Sequence, residues 1–163
     1  MRLGFRHTAF QAVCTVLVLC FALGLLERAD TVQPVFGEDS VRVPILMYHS
    51  ILRDSARQGK YVISPAVLAA DLDALQAKGY TAVTVSDLLA YVQDGADLPE
   101  KPVMLTFDDG YYNNYIYAYP LLKQYGMRAV LSPVASLTER FSQTDEAEQE
   151  AWSYCTGREL REM

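Results

Sequence analysis

The stretch VMLTFDDGYYNNY, Val103 to Tyr115, gathers residue types that could do chemistry. An apolar run ends in two adjacent carboxylates, Asp108 and Asp109, followed by Gly110 and a cluster of tyrosines and asparagines. Adjacent carboxylates repel, so a pair that stays ionised needs a cation or several donors beside it. In a regular strand neighbouring side chains point to opposite faces. At a strand end the backbone turns, and a glycine permits a sharp turn. Both carboxylates can then reach one site from different angles, one binding a metal and the other standing free as a base toward a metal-bound water. The plainer alternative has one aspartate capping the next helix and the other solvated. His49 closes a second apolar run, PILMYH, and is either a hydrogen-bonded structural residue or a ligand. Tyr112 is an aromatic candidate for the same pocket.

The elements that must position these residues can be read from periodicity and punctuation. Val41 to Ile51, VRVPILMYHSI, reads as a buried strand, followed by a polar loop. In SPAVLAADLDALQAKGY, Ser64 is a natural N-cap and Pro65 suits the first helical position. Val67, Leu68, Leu72 and Leu75 fall at helical spacing, and Gly79 is a plausible stop. Thr81 to Val85 is β-branched and short, hence a strand; Ser86 caps a helix that Gly95 ends. VMLTF is the next strand. The helix YNNYIYAYPLLKQYG ends at Gly126, and Pro120 either kinks it or begins a second piece. MRAVLSPVAS is a fourth strand broken near Pro133; after Leu137 the text turns polar, and TGRELREM opens another helix. Alternating strands and helices argue for a parallel α/β sheet, whose sites gather at the C-terminal ends of the strands. Asp108, Asp109 and His49 all fall at such ends.

The 163 residues hold 14 basic and 20 acidic side chains, a formal charge of −6. No basic patch stands out beyond the N-terminus, which argues against nucleic acid as a partner. Ala9 to Leu26 carries no charge and is close to the minimum length for crossing a bilayer; Arg2 and Arg6 precede it, and Glu27, Arg28 and Asp30 come after it. The positive-inside bias places the chain beyond Leu26 outside the cytoplasm. The organisation expected is a basic n-region at 1–8, a signal anchor or signal peptide at 9–26, a linker at 27–40 and a domain at 41–163, localised at the cell membrane or secreted if the signal is cleaved. Cys14 and Cys20 lie in the apolar segment and leave Cys155 alone outside it, so the exported portion folds by core burial rather than through a disulfide.

VPILMYHSI, LTFDDGYYNNY and PLLKQYGMRAV, in this order and spacing, resemble the NodB-homology polysaccharide deacetylases, carbohydrate esterase family 4. The resemblance runs from about Val43 to Met163 and implies a distorted (β/α) barrel that removes acetyl groups from an N-acetylated polysaccharide. Carried over by position, Asp108 matches the catalytic base and Asp109 the carboxylate that binds a divalent metal, usually zinc. The family completes that metal site with two histidines in a later motif. This sequence has only His7, which precedes the apolar segment, and His49. The expectation is therefore the first half of a barrel, truncated before its metal histidines and inactive as it stands.

Two readings from other classes stand beside this one. A membrane-anchored module could bind sugar through YYNNYIYAY without hydrolysing it. A receiver for phosphoryl transfer could hold magnesium at a strand-end carboxylate, although an export signal disfavours it.

Overall fold

The computed structural model describes residues 40–163. The expected anchor segment, Ala9 to Leu26, lies outside the described residues, and among those described no helix is long and apolar enough to cross a membrane.

The sheet is built around one strand, β5 (Pro102–Asp109). Its run from Val103 to Phe107 is continuously apolar save for Thr106, as a parallel strand covered on both faces requires. Val103 and Leu105 are fully buried. Pro102 stands at the first position, where a missing N–H costs the ladder least. Against β5 lie three parallel partners. β1 (Ile45–Tyr48) pairs along residues 104–107, β4 (Thr81–Ala82) pairs with 102–103, and β6 (Val130–Pro133) pairs with 106–109. A separate parallel pair joins β2 (Ser50–Ile51) to β3 (Val62–Ile63). The all-parallel sheet with intervening helices fits part of a (β/α) barrel.

The expected single strand from Val41 to Ile51 is in fact two. β1 pairs with β5, whereas Ser50 donates its N–H to Tyr61 O at 3.1 Å and so begins a different ladder. The chain changes partner at His49, which belongs to neither strand.

Helix α1 (Pro65–Ala77) starts as its caps predict: the Ser64 hydroxyl accepts from Val67 N at 3.1 Å. Leu68, Leu72 and Leu75 form the buried stripe at spacings of four and three. Val67 is displaced from that stripe by one residue and stays 46% exposed, so it does not share the core face. The leucines pack with Tyr48, Ile51, Val103, Leu105, Phe107, Ala118 and Leu122 in one cluster. Full burial of each leucine contributes roughly 1.5–3 kcal/mol.

Helix α2 (Val85–Asp94) begins earlier than expected. Thr84, not Ser86, is its N-cap, because Asp87 reaches back to accept from Thr84 N at 2.6 Å and from its hydroxyl at 2.8 Å. Gly95 ends it at φ 69°, and β4 is correspondingly shorter than the expected Thr81 to Val85. The helix after β5 comes in two pieces, a π-helical turn (Asn114–Ala118) and α3 (Tyr119–Gln124). Pro120 has no N–H to donate backward and its ring crowds the preceding turn; the widened turn, in which Tyr119 N bonds to Asn114 O, absorbs it.

Helix α4 (Ala135–Ser142) was not legible in the polar text after Leu137. Phe141 anchors it, packing 5.8 Å from the Trp152 ring and 5.7 Å from that of Tyr154. Helix α5 (Gly157–Glu162) opens on Thr156, whose N–H donates to Glu159 at 2.7 Å.

Candidate active site

Parallel pairing decides which residues meet. Tyr48 lies opposite Phe107, so the next residues along, His49 and Asp108, arrive level at the C-terminal end of the sheet. His49 Nε2 stands 3.9 Å from Asp108 Oδ2, beyond direct hydrogen-bond length and within ion-pair range. Both side chains keep solvent access, at 20% and 33%. The His49 ring also lies 5.0 Å from that of Tyr61, tilted by 54°.

Asp109 is where the strand turns. Its φ is +66°, uncommon for a residue with a Cβ, and Gly110 N donates to Asp108 O at 2.8 Å. A bond across one intervening residue at positive φ makes this a γ-turn of the strained hand, centred on Asp109. The turn removes Asp109 from the alternation a regular strand would impose. Gly110 comes next at φ +73°, and a Cβ there would lie 2.8 Å from Pro133 Cβ. The glycine thus allows both the turn and the close approach of β6.

Residues 153–155 lace the turn from outside. Tyr112 N donates to Ser153 O at 2.9 Å, Cys155 N to Gly110 O at 2.8 Å, and the Cys155 thiol to Tyr111 O at 3.3 Å. Asn113 is fully buried and completely partnered: its Oδ1 accepts from Ile51 N at 2.9 Å, while Nδ2 reaches Ser50 Oγ at 2.9 Å and Glu150 O at 3.0 Å. One amide side chain ties the residues after Asp109 to the residues after His49.

The tyrosine whose hydroxyl feels the Asp109 charge is Tyr111. Its pKa is pushed up to about 12, first by the hydrogen bond with Tyr154, then by burial and by the Tyr154 and Asp109 charges. The Tyr111 and Tyr154 rings stack at 4.8 Å. Tyr112 looks elsewhere: burial raises its pKa first, with the charges of Glu148 and Glu159 adding to it. The strand end therefore brings His49 to Asp108 and, unforeseen, Tyr61 to His49, while Tyr111 and the equally unforeseen Tyr154 neighbour each other on the side that feels Asp109. Tyr111 could have been named from its place after the glycine; Tyr61 and Tyr154 carry no local signal.

A zinc site needs about three protein donors. Among the described residues no three histidine, cysteine, aspartate or glutamate side chains gather to hold a metal ion. These residues by themselves do not fit a complete metal centre.

His49 and the two aspartates lie at the C-terminal ends of parallel strands, where the sites of α/β folds gather. The family model for polysaccharide deacetylases matches residues 95–155, which contain both aspartates. The chain is similar to YxkH of Bacillus subtilis (strain 168), 34% identical over 105 residues that cover 64% of this chain and 36% of that protein. It is similar to the poly-β-1,6-N-acetyl-D-glucosamine N-deacetylase of Escherichia coli (strain K12), 32% identical over 91 residues that cover 56% of this chain and 14% of the other. Among solved structures, a de-N-acetylase from Aggregatibacter actinomycetemcomitans superposes with a TM-score of 0.63 at 32% identity, covering 74% of this chain and 50% of that one. The chain thus spans about a third or less of these curated relatives and half of the solved one.

Proposed function

We propose that the chain supplies the Asp108–Asp109 face of an enzyme that hydrolyses N-acetyl groups on a polysaccharide outside the cytoplasm. The observation that carries this reading is the strand-end juxtaposition of His49 and Asp108 at 3.9 Å, with Asp109 next in the chain at φ +66°. The name of the Escherichia coli relative supports a poly-N-acetylglucosamine as the substrate class. In this reading Asp108 takes a proton from the attacking water, whose oxygen bonds to the acetamide carbonyl carbon. The C–N bond then breaks, acetate leaves, and the proton passes to the amine nitrogen. His49 flanks Asp108 at 3.9 Å.

Asp109 is the residue assigned to a divalent cation, zinc by resemblance. It needs donors beyond the described residues, so the 163-residue chain alone turns over no substrate. The test measures acetate release from an N-acetylglucosamine oligomer with added zinc, for this chain and for a chain extended with a histidine-bearing second half. Expected are no release from the former, release from the latter, and a loss on the order of 10²–10⁴-fold on Asp108→Asn in the latter. Zinc-dependent release by the 163-residue chain would show the donor count to be wrong; an extended chain indifferent to Asp108→Asn would remove the base assignment.

Sugar binding without hydrolysis has less support. The tyrosines it would use are committed internally: Tyr119 donates to Glu162 O at 2.8 Å, and the Tyr112, Tyr115 and Tyr119 rings neighbour one another along the helix at 6.0 and 6.1 Å.

A further inference from the structure

Among the described residues two aromatic side chains remain about half exposed, Tyr61 at 51% and Trp152 at 46%. The other described tyrosines and phenylalanines are half-buried or buried. Exposed apolar residues scattered singly are ordinary. These two are not scattered, because both border the strand end that carries the aspartates. Tyr61 lies 5.0 Å from the His49 ring. Trp152 is joined to the Asp109 side through a file of rings: it packs 5.8 Å from Phe141, Phe141 lies 5.7 Å from Tyr154, and Tyr154 stacks at 4.8 Å on Tyr111, whose hydroxyl feels the Asp109 charge. Neither Tyr61 nor Trp152 lies in the three segments that carry the deacetylase resemblance.

The loops that carry the two rings are bonded to each other and to the strand end. Arg57, in the loop before Tyr61, donates from Nη1 to Ala151 O at 3.3 Å, next to Trp152. Asn113 holds Ser50 and Glu150 from within. Trp152 N donates to Gln149 O at 3.3 Å and Ser153 N to the same carbonyl at 2.9 Å. Rings held in this way offer a large, rigid contact area at low entropic cost. Their electronics select the ligand. A flat ring with a partly negative face suits the C–H face of a pyranose and leaves the hydroxyl and acetamido groups at the edge. A nucleobase would stack as well, but the loop before Trp152 carries Asp145, Glu146, Glu148 and Glu150, which repel a phosphate backbone. Lys60, itself exposed, lies over the Tyr61 ring at 4.9 Å, a contact that an arriving sugar can displace.

We propose that Tyr61 and Trp152 are the two ends of a stacking track for a neutral polysaccharide, each seating a sugar that flanks the unit presented to Asp108. Unlike the tyrosines of the helix after β5, these rings are not committed along a helix. The proposal rests on the deacetylase reading and names two residues that position its substrate. Binding is read without metal or turnover, so failure of the track is distinguishable from failure of the roles given to Asp108 and Asp109, which acetate release tests.

Trp152 is the only tryptophan of the sequence, so tryptophan emission reports on this ring alone. The experiment titrates the 163-residue chain with a β-1,6-linked N-acetylglucosamine hexamer and with the monomer, following that emission. The hexamer should shift the emission saturably, and the monomer, which can rest on one ring at a time, should need at least about tenfold more. Tyr61→Ala should weaken the hexamer at least about tenfold and leave the monomer titration at Trp152 unchanged, a split that a general loss of structure would not produce. Tyr61→Phe, which keeps the ring, should bind the hexamer as the parent chain does, and so should the control Leu89→Ala on exposed α2. The proposal is overturned by emission that the hexamer does not move, by a monomer as effective as the hexamer, by Tyr61→Ala binding the hexamer like the parent chain, or by Tyr61→Phe losing as much as Tyr61→Ala.

Discussion

Gly110 is the residue on which the site geometry turns. It combines positive φ with a neighbour, Pro133, so close that a Cβ would sit 2.8 Å from its Cβ. The contact is to a proline ring and backbone rather than to the end of a flexible side chain, so relief requires β6 itself to move. Gly110→Ala should destabilise the fold by on the order of 1–3 kcal/mol, read as a lowered urea midpoint. A variant of unchanged midpoint would show that β6 yields freely. Asp109 stores strain of the same kind at φ +66°. Strained backbone of this sort persists where the surroundings over-determine it and clusters at functional sites. Here the surroundings are concrete: Val134 N donates to Asp109 O at 3.2 Å, Cys155 N to Gly110 O at 2.8 Å, and Asn113 is locked on three sides.

At the scale of elements, α1 separates pattern from packing. Four apolar residues along it, Val67, Leu68, Leu72 and Leu75, suit one face, but Val67 stays exposed while Leu68, Leu72 and Leu75 reach the core. Leu72→Ala should therefore cost about 2–5 kcal/mol by leaving a cavity. Val67→Ala should stay within about 0.5 kcal/mol, as surface changes do. Equal costs in chemical denaturation would put Val67 back on the buried face. The π-helical turn before α3 is likewise an element-level outcome. Pro120 requires some break, and a widened turn rather than a sharp kink keeps Ala118 and Leu122 together in the core cluster.

For the molecule as a whole, alkaline stability depends on three groups that hold their protons more tightly when folded. Tyr48 is raised by burial and then by Asp71, Tyr111 to about 12 by its Tyr154 hydrogen bond and then burial, and Cys155 to about 12 by burial and then Glu159. A raised pKa means that the folded state prefers the protonated form. The stabilisation is complete below the unfolded values, about 9 for the thiol and 10 for the phenols, and is lost as pH rises through the folded ones. The melting temperature should fall progressively between about pH 9 and about pH 12. A Tyr111→Phe, Cys155→Ala double variant should lose less over that interval; an identical slope would refute the assignment. Export belongs to this scale as well. If Ala9 to Leu26 anchors or exports the chain, Lys60 and Lys78 should be cut by protease added outside intact cells, and shielding of both would end that reading.

Local chemistry settled much of this protein from the sequence. Ser64 before Pro65 fixes a helix start, Gly95 a helix end, and the apolar run into Asp108 a parallel strand with its carboxylates at the site-bearing end, because caps, φ preferences and burial act over a few residues. Residues 95–155 match the family model for polysaccharide deacetylases. Tertiary structure alone decided the rest. The strand break at His49 depends on two ladders formed with residues far along the chain. Tyr154 reaches Tyr111 only because residues 153–155 fold back onto the turn. Asn113 and Asn114 are neighbours with the same side chain, yet one is saturated and the other open. No local rule separates them, since the difference lies in which distant backbone groups arrive to meet each amide.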